Sequence, residues 1–487
     1  MSRETERSEV SACASGGAAS TDDLSKGLPE DAEACSQDRT GFINPVRMCA
    51  PIGAMIGTLG VHGGVPLIHG SNGCATYPRH EMNRHFEEPV ETGVTSLTEG
   101  STVFGGADNL IEGLENVYER VDPTMITGIS TCLSETIGDD IEGIVMEYQA
   151  TNPEVDVPIL SVNAPSYVGT HITGMDNFVT EVVQQFPEPG KPTNRLNVVP
   201  GWVDPGDIRE LRHILEEIGA DPLWLTDYSD PLDGGLYEED LDHPPGGTPI
   251  EDLEDAANSR GTIAIQKHVG GEGARILGEE YNQQVSVGPM PVGVRNTDRF
   301  VEAVTQITGL DRSERLKKER ARLLDAIVDA HMYLSGLRVG VFGDPDWIEG
   351  ITEFLAEAGT EPVYALTSFE SDEWAEDMLE VADRHDLNLH VRHESDLTEL
   401  EDLLAEEPLD LLVGPSKGKF LADEQDIPLV RTGFPVEDRF GYHRRATVGY
   451  RGSINLLDDV VNAFLRGGNE RLVSNTTLDT DLEGGDR

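Results

Sequence analysis

Short apolar runs bounded by glycine, proline or polar turns recur along this chain, and between them apolar residues return every three or four positions. In the first part, VPLIHG (65–70), MITGIST (125–131) and PILSVNA (158–164) are predicted strands. The segments ATYPRHEMNRHF (75–86) and LSETIGDDIEGIVMEYQ (133–149) are predicted helices. Further on, RLNVVPGW and DPLWLTD flank the amphipathic helix GDIRELRHILEEIG (206–219), and TIAIQKH leads into the helix GARILGEEYNQQ (273–284). A long helix over 313–336 precedes a last run of strands: RVGVFGDPD, EPVYALT, LNLHVRH, DLLVGPS and PLVRTG, with WIEGITEFLAEAG as an intervening helix. Strands alternating with helices in this way predict an α/β chain of doubly wound parallel sheets.

The pattern divides the 487 residues into a lead segment over 1–40 rich in Ser, Gly, Ala, Asp and Glu, three α/β domains over 41–194, 195–335 and 336–466, and a polar tail over 467–487. The lead segment lacks apolar periodicity and is expected to be disordered. FPEPGKPTN (186–194) reads as the linker closing the first domain. GVFGDPD is not a full GxGxxG, so no nucleotide site is read there.

Charge narrows the partners. The formal net charge is −54, from 90 acidic against 36 basic residues, of which only seven are lysines. The acid is spread through the chain instead of gathered in one tail. Such a composition resembles that of proteins from organisms that keep molar salt in the cytoplasm, where a Debye length of about 3 Å screens self-repulsion. It argues against nucleic acid or anionic membranes as partners. No apolar stretch is long enough to span a bilayer and no signal peptide is read at the start, so a cytoplasmic protein is expected. Five cysteines without disulfide-style spacing agree with a reducing compartment.

Three of those cysteines carry the candidate chemistry. Cys49 in RMCAPIGAM, Cys74 in HGSNGCATY and Cys132 in ISTCLSETIGDD lie in separate turns, 25 and 58 residues apart, so no local zinc knuckle can be drawn. Cys74 and Cys132 follow predicted strand ends and open helical segments, and Pro51 suits the first helical turn after Cys49. The carboxyl ends of strands in an open α/β sheet form the ligand crevice, and helix N-termini there favour thiolate. Two readings stand on spacing alone: small buried hydrophobes, or soft ligands of an iron–sulfur group. Cys13 and Cys35, in the lead segment, are read as bystanders.

The words around the cysteines add to this. NPVRMCAPIGA, HGSNGC, NRHFEEPV, EGSTVFGG, STCLSETIGDD and APSYVGTHITGMDNF follow one another in an order and spacing that resembles the β chains of the nitrogenase component 1 family, of molybdenum-iron or vanadium-iron type. The resemblance continues through MPVGVRNTDRF, GVFGDPDW, GPSKGKF and VRTGFPVEDRF, from about residue 41 to about 466. It implies three Rossmann-like domains around a central metal-cluster crevice. It also implies an 8Fe-7S cluster shared with an α subunit, with Cys49, Cys74 and Cys132 as this chain's ligands and Ser166 as a ligand of the oxidised cluster. Without the resemblance, Ser166 reads as a turn or cap serine.

By the same resemblance, Glu88 in FEEPV, with Asp325 and Asp329 in LLDAIVDAH, would bind a cation between two β chains; a solvated acidic face is the alternative. Arg79, Arg84 and His85 are read as structural or partner-facing, Ser71 as a hydrogen-bond donor to a cluster sulfur, and Gly73, Gly105 and Gly106 as points of close backbone approach. The implied assembly is an α2β2 heterotetramer. An ATP-hydrolysing iron protein carrying MgATP docks on it, an iron-molybdenum or iron-vanadium cofactor sits on the partner chain, and no catalytic residue lies in this one. A nitrogenase-like reductase of another substrate, such as a carbon–sulfur compound, and a cofactor-assembly scaffold are the alternatives. Asn72, Pro78 and His80 depart from the family's usual residues near the cluster.

Overall fold

The computed structural model describes residues 43–236 and 243–467. The lead segment with Cys13 and Cys35, and the tail beyond 467, lie outside the described residues. Among the described residues there are three sheets, parallel throughout. The first contains β1 (Gly64–Ile68), β2 (Gly93–Val94), β3 (Met125–Ile129) and β4 (Ile159–Val162), in the order β2-β1-β3-β4. The second contains β5 (Leu196–Val199), β6 (Pro222–Trp224), β7 (Gly261–Ala264) and β8 (Gln284–Val287), in the order β6-β5-β7-β8. The third contains β9 (Arg338–Gly343), β10 (Glu361–Thr367), β11 (His390–Arg392), β12 (Leu411–Gly414) and β13 (Leu429–Arg431), in the order β11-β10-β9-β12-β13.

Each order turns back on itself at its first strand, which creates a crevice at the carboxyl ends of β1 and β3, of β5 and β7, and of β9 and β12. The strands are nearly all apolar because helices cover both faces. Val65 and Leu67 of β1 pack outward against Leu110 and Leu114, whereas Ile68 joins a continuous core that also holds Ile52, Phe178, Trp202, Leu211, Phe300 and Trp347. Among the described residues no helix is long and apolar enough to cross a membrane.

Two departures from the sequence pattern matter for the site. The helix expected over 133–149 is two helices, Cys132–Ile137 and Ile141–Thr151. Gly138 ends the first with φ 81°, and the Asp140 carboxylate accepts from the Gly143 N–H to start the second, so the local capping signals outweigh the continuous apolar spacing. The helix expected over 273–284 ends at Tyr281, and Gln284 begins β8.

Candidate cluster site at the edge of the first sheet

Cys49 is the N-cap of the Ala50–Leu59 helix, in extended conformation, with Pro51 in the first turn. Two glycines fix where this helix lies. A Cβ on Gly53 would sit 1.9 Å from the His171 carbonyl oxygen, and one on Gly174 would sit 1.9 Å from the Ala50 carbonyl oxygen. The Ala50–Leu59 and His171–Gln185 helices therefore touch backbone to backbone, as only glycine permits. Met48 completes the clamp: its N–H donates to His171 Nδ1 at 3.3 Å and its carbonyl accepts from the His171 N–H at 3.1 Å.

Cys74 lies in the first turn of the Asn72–Phe86 helix, just past the carboxyl end of β1. Its N–H donates to the Ser71 carbonyl at 3.0 Å, and the Ser71 hydroxyl is 3.5 Å from its sulfur. Pro78, four residues on, has no N–H to return to the Cys74 carbonyl. Asn72 accepts from the Ser96 hydroxyl at 2.7 Å, and His80 is exposed.

Cys132 is the first residue of its helix, past the carboxyl end of β3. Thr131 and Ser134 form a capping box before it, and the Thr131 hydroxyl donates to the His69 carbonyl at 3.0 Å. Because β1 and β3 are neighbours at the switch point, Cys74 and Cys132 open two adjacent helices. Ser166, after β4, joins them to Cys49: its N–H donates to Cys132 Sγ at 3.2 Å, and its hydroxyl accepts from the Ala50 N–H at 3.1 Å.

Electrostatics tie the three thiols together. Burial pushes the Cys49 thiol up; the Ser166 hydroxyl, hydrogen-bonded to it, and the Lys417 ammonium pull it down, while Cys132 and Cys74 raise it further. The Cys74 and Cys132 sulfurs are thus both within reach of the Cys49 thiol's charge. Among the described residues, however, no three His, Cys, Asp or Glu side chains close on a point where a single ion would sit. Three soft donors spread around a common space, with a hydroxyl beside them, fit a polynuclear iron–sulfur group better than one tetrahedral ion.

The outward side is not covered by this chain. Cys132 is exposed, and so are Phe104 (91%), Tyr167 (60%) and Val168 (70%) in adjoining segments. Large exposed apolar side chains around a site mark a surface that another protein covers.

The glycines play different parts. A Cβ on Gly106 would meet Asp139 Oδ2 at 2.5 Å and His69 Cε1 at 2.8 Å, so this glycine makes room for a buried pair in which His69 Nε2 lies 3.0 Å from Asp139. Gly105 has φ 92°, and a Cβ on Gly73 would meet nothing closer than Ser71 Oγ at 3.9 Å. His85 joins the three units: its Nε2 lies 2.7 Å from Asp204 Oδ1, its Nδ1 accepts from the Val436 N–H at 2.9 Å, and Phe434 stacks edge-on at 4.8 Å. Arg84 pairs with Glu437 at 2.9 Å and Arg79 is exposed. Where the sheets meet, His171 packs on Trp202 at 4.6 Å and Trp202 on Phe434 at 5.1 Å, filling the central space.

The carboxylates lie elsewhere. Glu88 is half-buried just beyond the Asn72–Phe86 helix, while Asp325 and Asp329 are exposed one turn apart on the Glu314–Leu334 helix. Within one chain they do not gather into a cation site. Val328 and Met332 are exposed beside them. Sequence reasoning missed the charged residues behind Cys49, namely Glu81, Lys417 and Glu437. Lys417 and Glu437 lie in GPSKGKF and VRTGFPVEDRF, among other charged residues from which no spacing signal sets them apart.

Residues 49–465 match the family model for nitrogenase component 1 type oxidoreductases. The chain is 42% identical over 435 residues to the nitrogenase molybdenum-iron protein beta chain of Methanothermobacter thermautotrophicus, covering 87% of this chain and 94% of that one. It is 37% identical over 440 residues to the nitrogenase vanadium-iron protein beta chain of Trichormus variabilis, covering 88% and 95%. A solved structure titled "Nitrogenase Cp1 at pH 6.5" superimposes with a TM-score of 0.87 at 33% identity, over 93% of this chain and 98% of that one. The chain belongs to the nitrogenase component 1 oxidoreductase family.

Proposed function

We propose that this chain is the β subunit of a nitrogenase component 1, and that it supplies Cys49, Cys74, Cys132 and, in the oxidised state, Ser166 to an 8Fe-7S cluster completed by an α subunit. The observation that carries this reading is the convergence of three thiols and Ser166 at one open edge of the first sheet. When bound, the cluster supplies one-electron transfer between an ATP-hydrolysing iron protein with its MgATP and the iron-molybdenum or iron-vanadium cofactor on the α subunit, where dinitrogen is reduced to ammonia.

This chain's residues do the rest by position. Cys49 caps one helix, and Cys74 and Cys132 stand in the first turns of two others. The Ser166 N–H and hydroxyl orient Cys132 and Cys49. The aromatic packing of His171, Trp202 and Phe434 fills the space where the sheets meet, and no substrate site is assigned to this chain. The exposed apolar residues beside Cys132 fit the α subunit. Glu88, Asp325 and Asp329 are kept as candidate ligands of a cation between two β chains of an α2β2 assembly. The dispersed negative charge fits a cytoplasm of high salt.

The test is metal analysis of the complex purified anaerobically from its native host at high salt. Iron beyond that of one shared cluster, with molybdenum or vanadium, is expected. A complex without iron would contradict the reading.

A further inference from the structure

His69, the first residue beyond β1, is engaged through its backbone and its ring at once. Its N–H donates to the Ile129 carbonyl, at the end of β3, at 2.8 Å. Its carbonyl accepts from the hydroxyl of Thr131, the residue before Cys132, at 3.0 Å. Its Nε2 lies 3.0 Å from Oδ2 of Asp139, just past the end of the helix that Cys132 opens. The short Cys132–Ile137 helix is therefore held at both ends by one residue, and that residue leads through Gly70 and Ser71 into the turn that carries Cys74. A Cβ on Gly70 would sit 2.6 Å from Thr131 Oγ1, so the two cysteine-bearing turns are also in direct contact.

The ring is fixed on both sides. The His69 side chain is fully buried and that of Asp139 is 7% exposed. Burial pushes the imidazole below its ordinary value against the pull of Asp139, so near neutral pH one ring nitrogen donates and the other accepts. Nε2 faces a carboxylate and is the donor. Nδ1 then accepts from the Thr95 hydroxyl at 3.1 Å, and the same oxygen accepts from the Gly70 N–H at 3.2 Å. The Gly106 N–H completes Asp139, at 3.0 Å from Oδ1 and 3.1 Å from Oδ2. Removing one member of this buried chain leaves its neighbours unpaired, which costs more than the bond itself.

We propose that His69 and Asp139 are positioning residues for the candidate cluster: together they set the separation and orientation of Cys74 and Cys132, and so the geometry in which the two thiols meet iron. The proposal rests on the cluster reading above. Neither side chain is assigned as a ligand. They act through the segments that carry the ligands, as groups behind a metal centre tune it by fixing the direction of its donors. Thr95 extends the device by holding the far side of the His69 ring and the Gly70 N–H together.

The experiment compares the native complex with Asp139→Ala, Asp139→Asn and Thr95→Val complexes, purified anaerobically at high salt, by iron content and by the electron paramagnetic resonance spectrum of the oxidised shared cluster. Asp139→Ala is expected to keep its iron and to change the g values and line shape of the signal. Asparagine retains an oxygen that accepts from both His69 and Gly106, so Asp139→Asn should restore the native line shape. Thr95→Val, which loses only the hydroxyl beside Nδ1, should give a smaller change of the same kind, and it decides the matter if Asp139→Ala does not fold. A merely structural role would lower iron and signal together at unchanged line shape, and that result overturns the proposal. So does a native spectrum in both Asp139→Ala and Thr95→Val, or an Asp139→Asn spectrum altered as much as that of Asp139→Ala. No cluster signal in the native complex overturns the cluster reading, and this proposal with it.

Discussion

The backbone N–H of Ser166 points at the Cys132 sulfur from 3.2 Å. The same residue's hydroxyl accepts from the Ala50 N–H at 3.1 Å and bonds the Cys49 thiol. A residue with no sulfur of its own thus connects two of the three thiols. Ser166→Ala should remove only the hydroxyl's share, about 1 kcal/mol of native stability. The reduced cluster should keep its spectrum and the oxidised one should change. Loss of all iron on this substitution would show that Ser166 is needed for assembly.

The Ala50–Leu59 helix carries Cys49 at its start, and its place depends on Gly174. Gly174→Ala would put a methyl 1.9 Å from the Ala50 carbonyl oxygen, which forces the two helices apart. A loss of roughly 1–3 kcal/mol in denaturant unfolding is expected. Iron content should fall with it, because Cys49 moves. Unchanged stability and iron would mean that the two helices are not held in this contact.

Glu349 supplies a pH dependence of stability. Burial first, then Asp346 and Asp377, pushes its carboxyl from 4.5 up to about 8. The folded state holds this proton more tightly than the unfolded chain does. Its stabilising contribution is therefore complete below pH 4.5 and is lost as pH rises through about 8. Glu349→Gln should be more stable than the native chain at pH 9, on the order of 1–3 kcal/mol, and nearly equal to it at pH 4. Thermal midpoints at fixed molar salt would measure this; a gain equal at both pH values would contradict it.

A net charge of −54 makes self-repulsion a large term. Raising salt from 0.1 M to 1 M shortens the Debye length from about 10 Å to about 3 Å. The unfolding midpoint should rise steeply over that range and continue to rise with potassium chloride. A midpoint that falls with salt would mean that surface ion pairs outweigh the repulsion.

Much of this architecture was legible in the sequence because it is local. VPLIHG, MITGIST and the later apolar runs are buried on both faces, so their patterns survive as strands. The cysteines could be placed after strand ends for the same reason. What was not legible is what the fold brings together from far apart. The split at Gly138 and Asp140 was obscured by apolar spacing that runs through it. Strand β8 is short and half-exposed, with an alternating pattern over only four residues. Glu437 follows Arg84 by more than 350 residues and pairs with it only when the third unit packs against the first. Asp325 and Asp329 are exposed one turn apart on one helix, and among the described residues no third His, Cys, Asp or Glu closes on them to hold a metal ion.

The most direct measurement is the iron content and shared-cluster signal of the complex carrying Cys74→Ala, purified anaerobically at high salt beside the native complex. The iron and spectrum of the shared cluster should be lost or altered, while the partner's molybdenum or vanadium remains. A variant that keeps the full shared-cluster signal would show that Cys74 is no ligand, and that the three thiols do not act together.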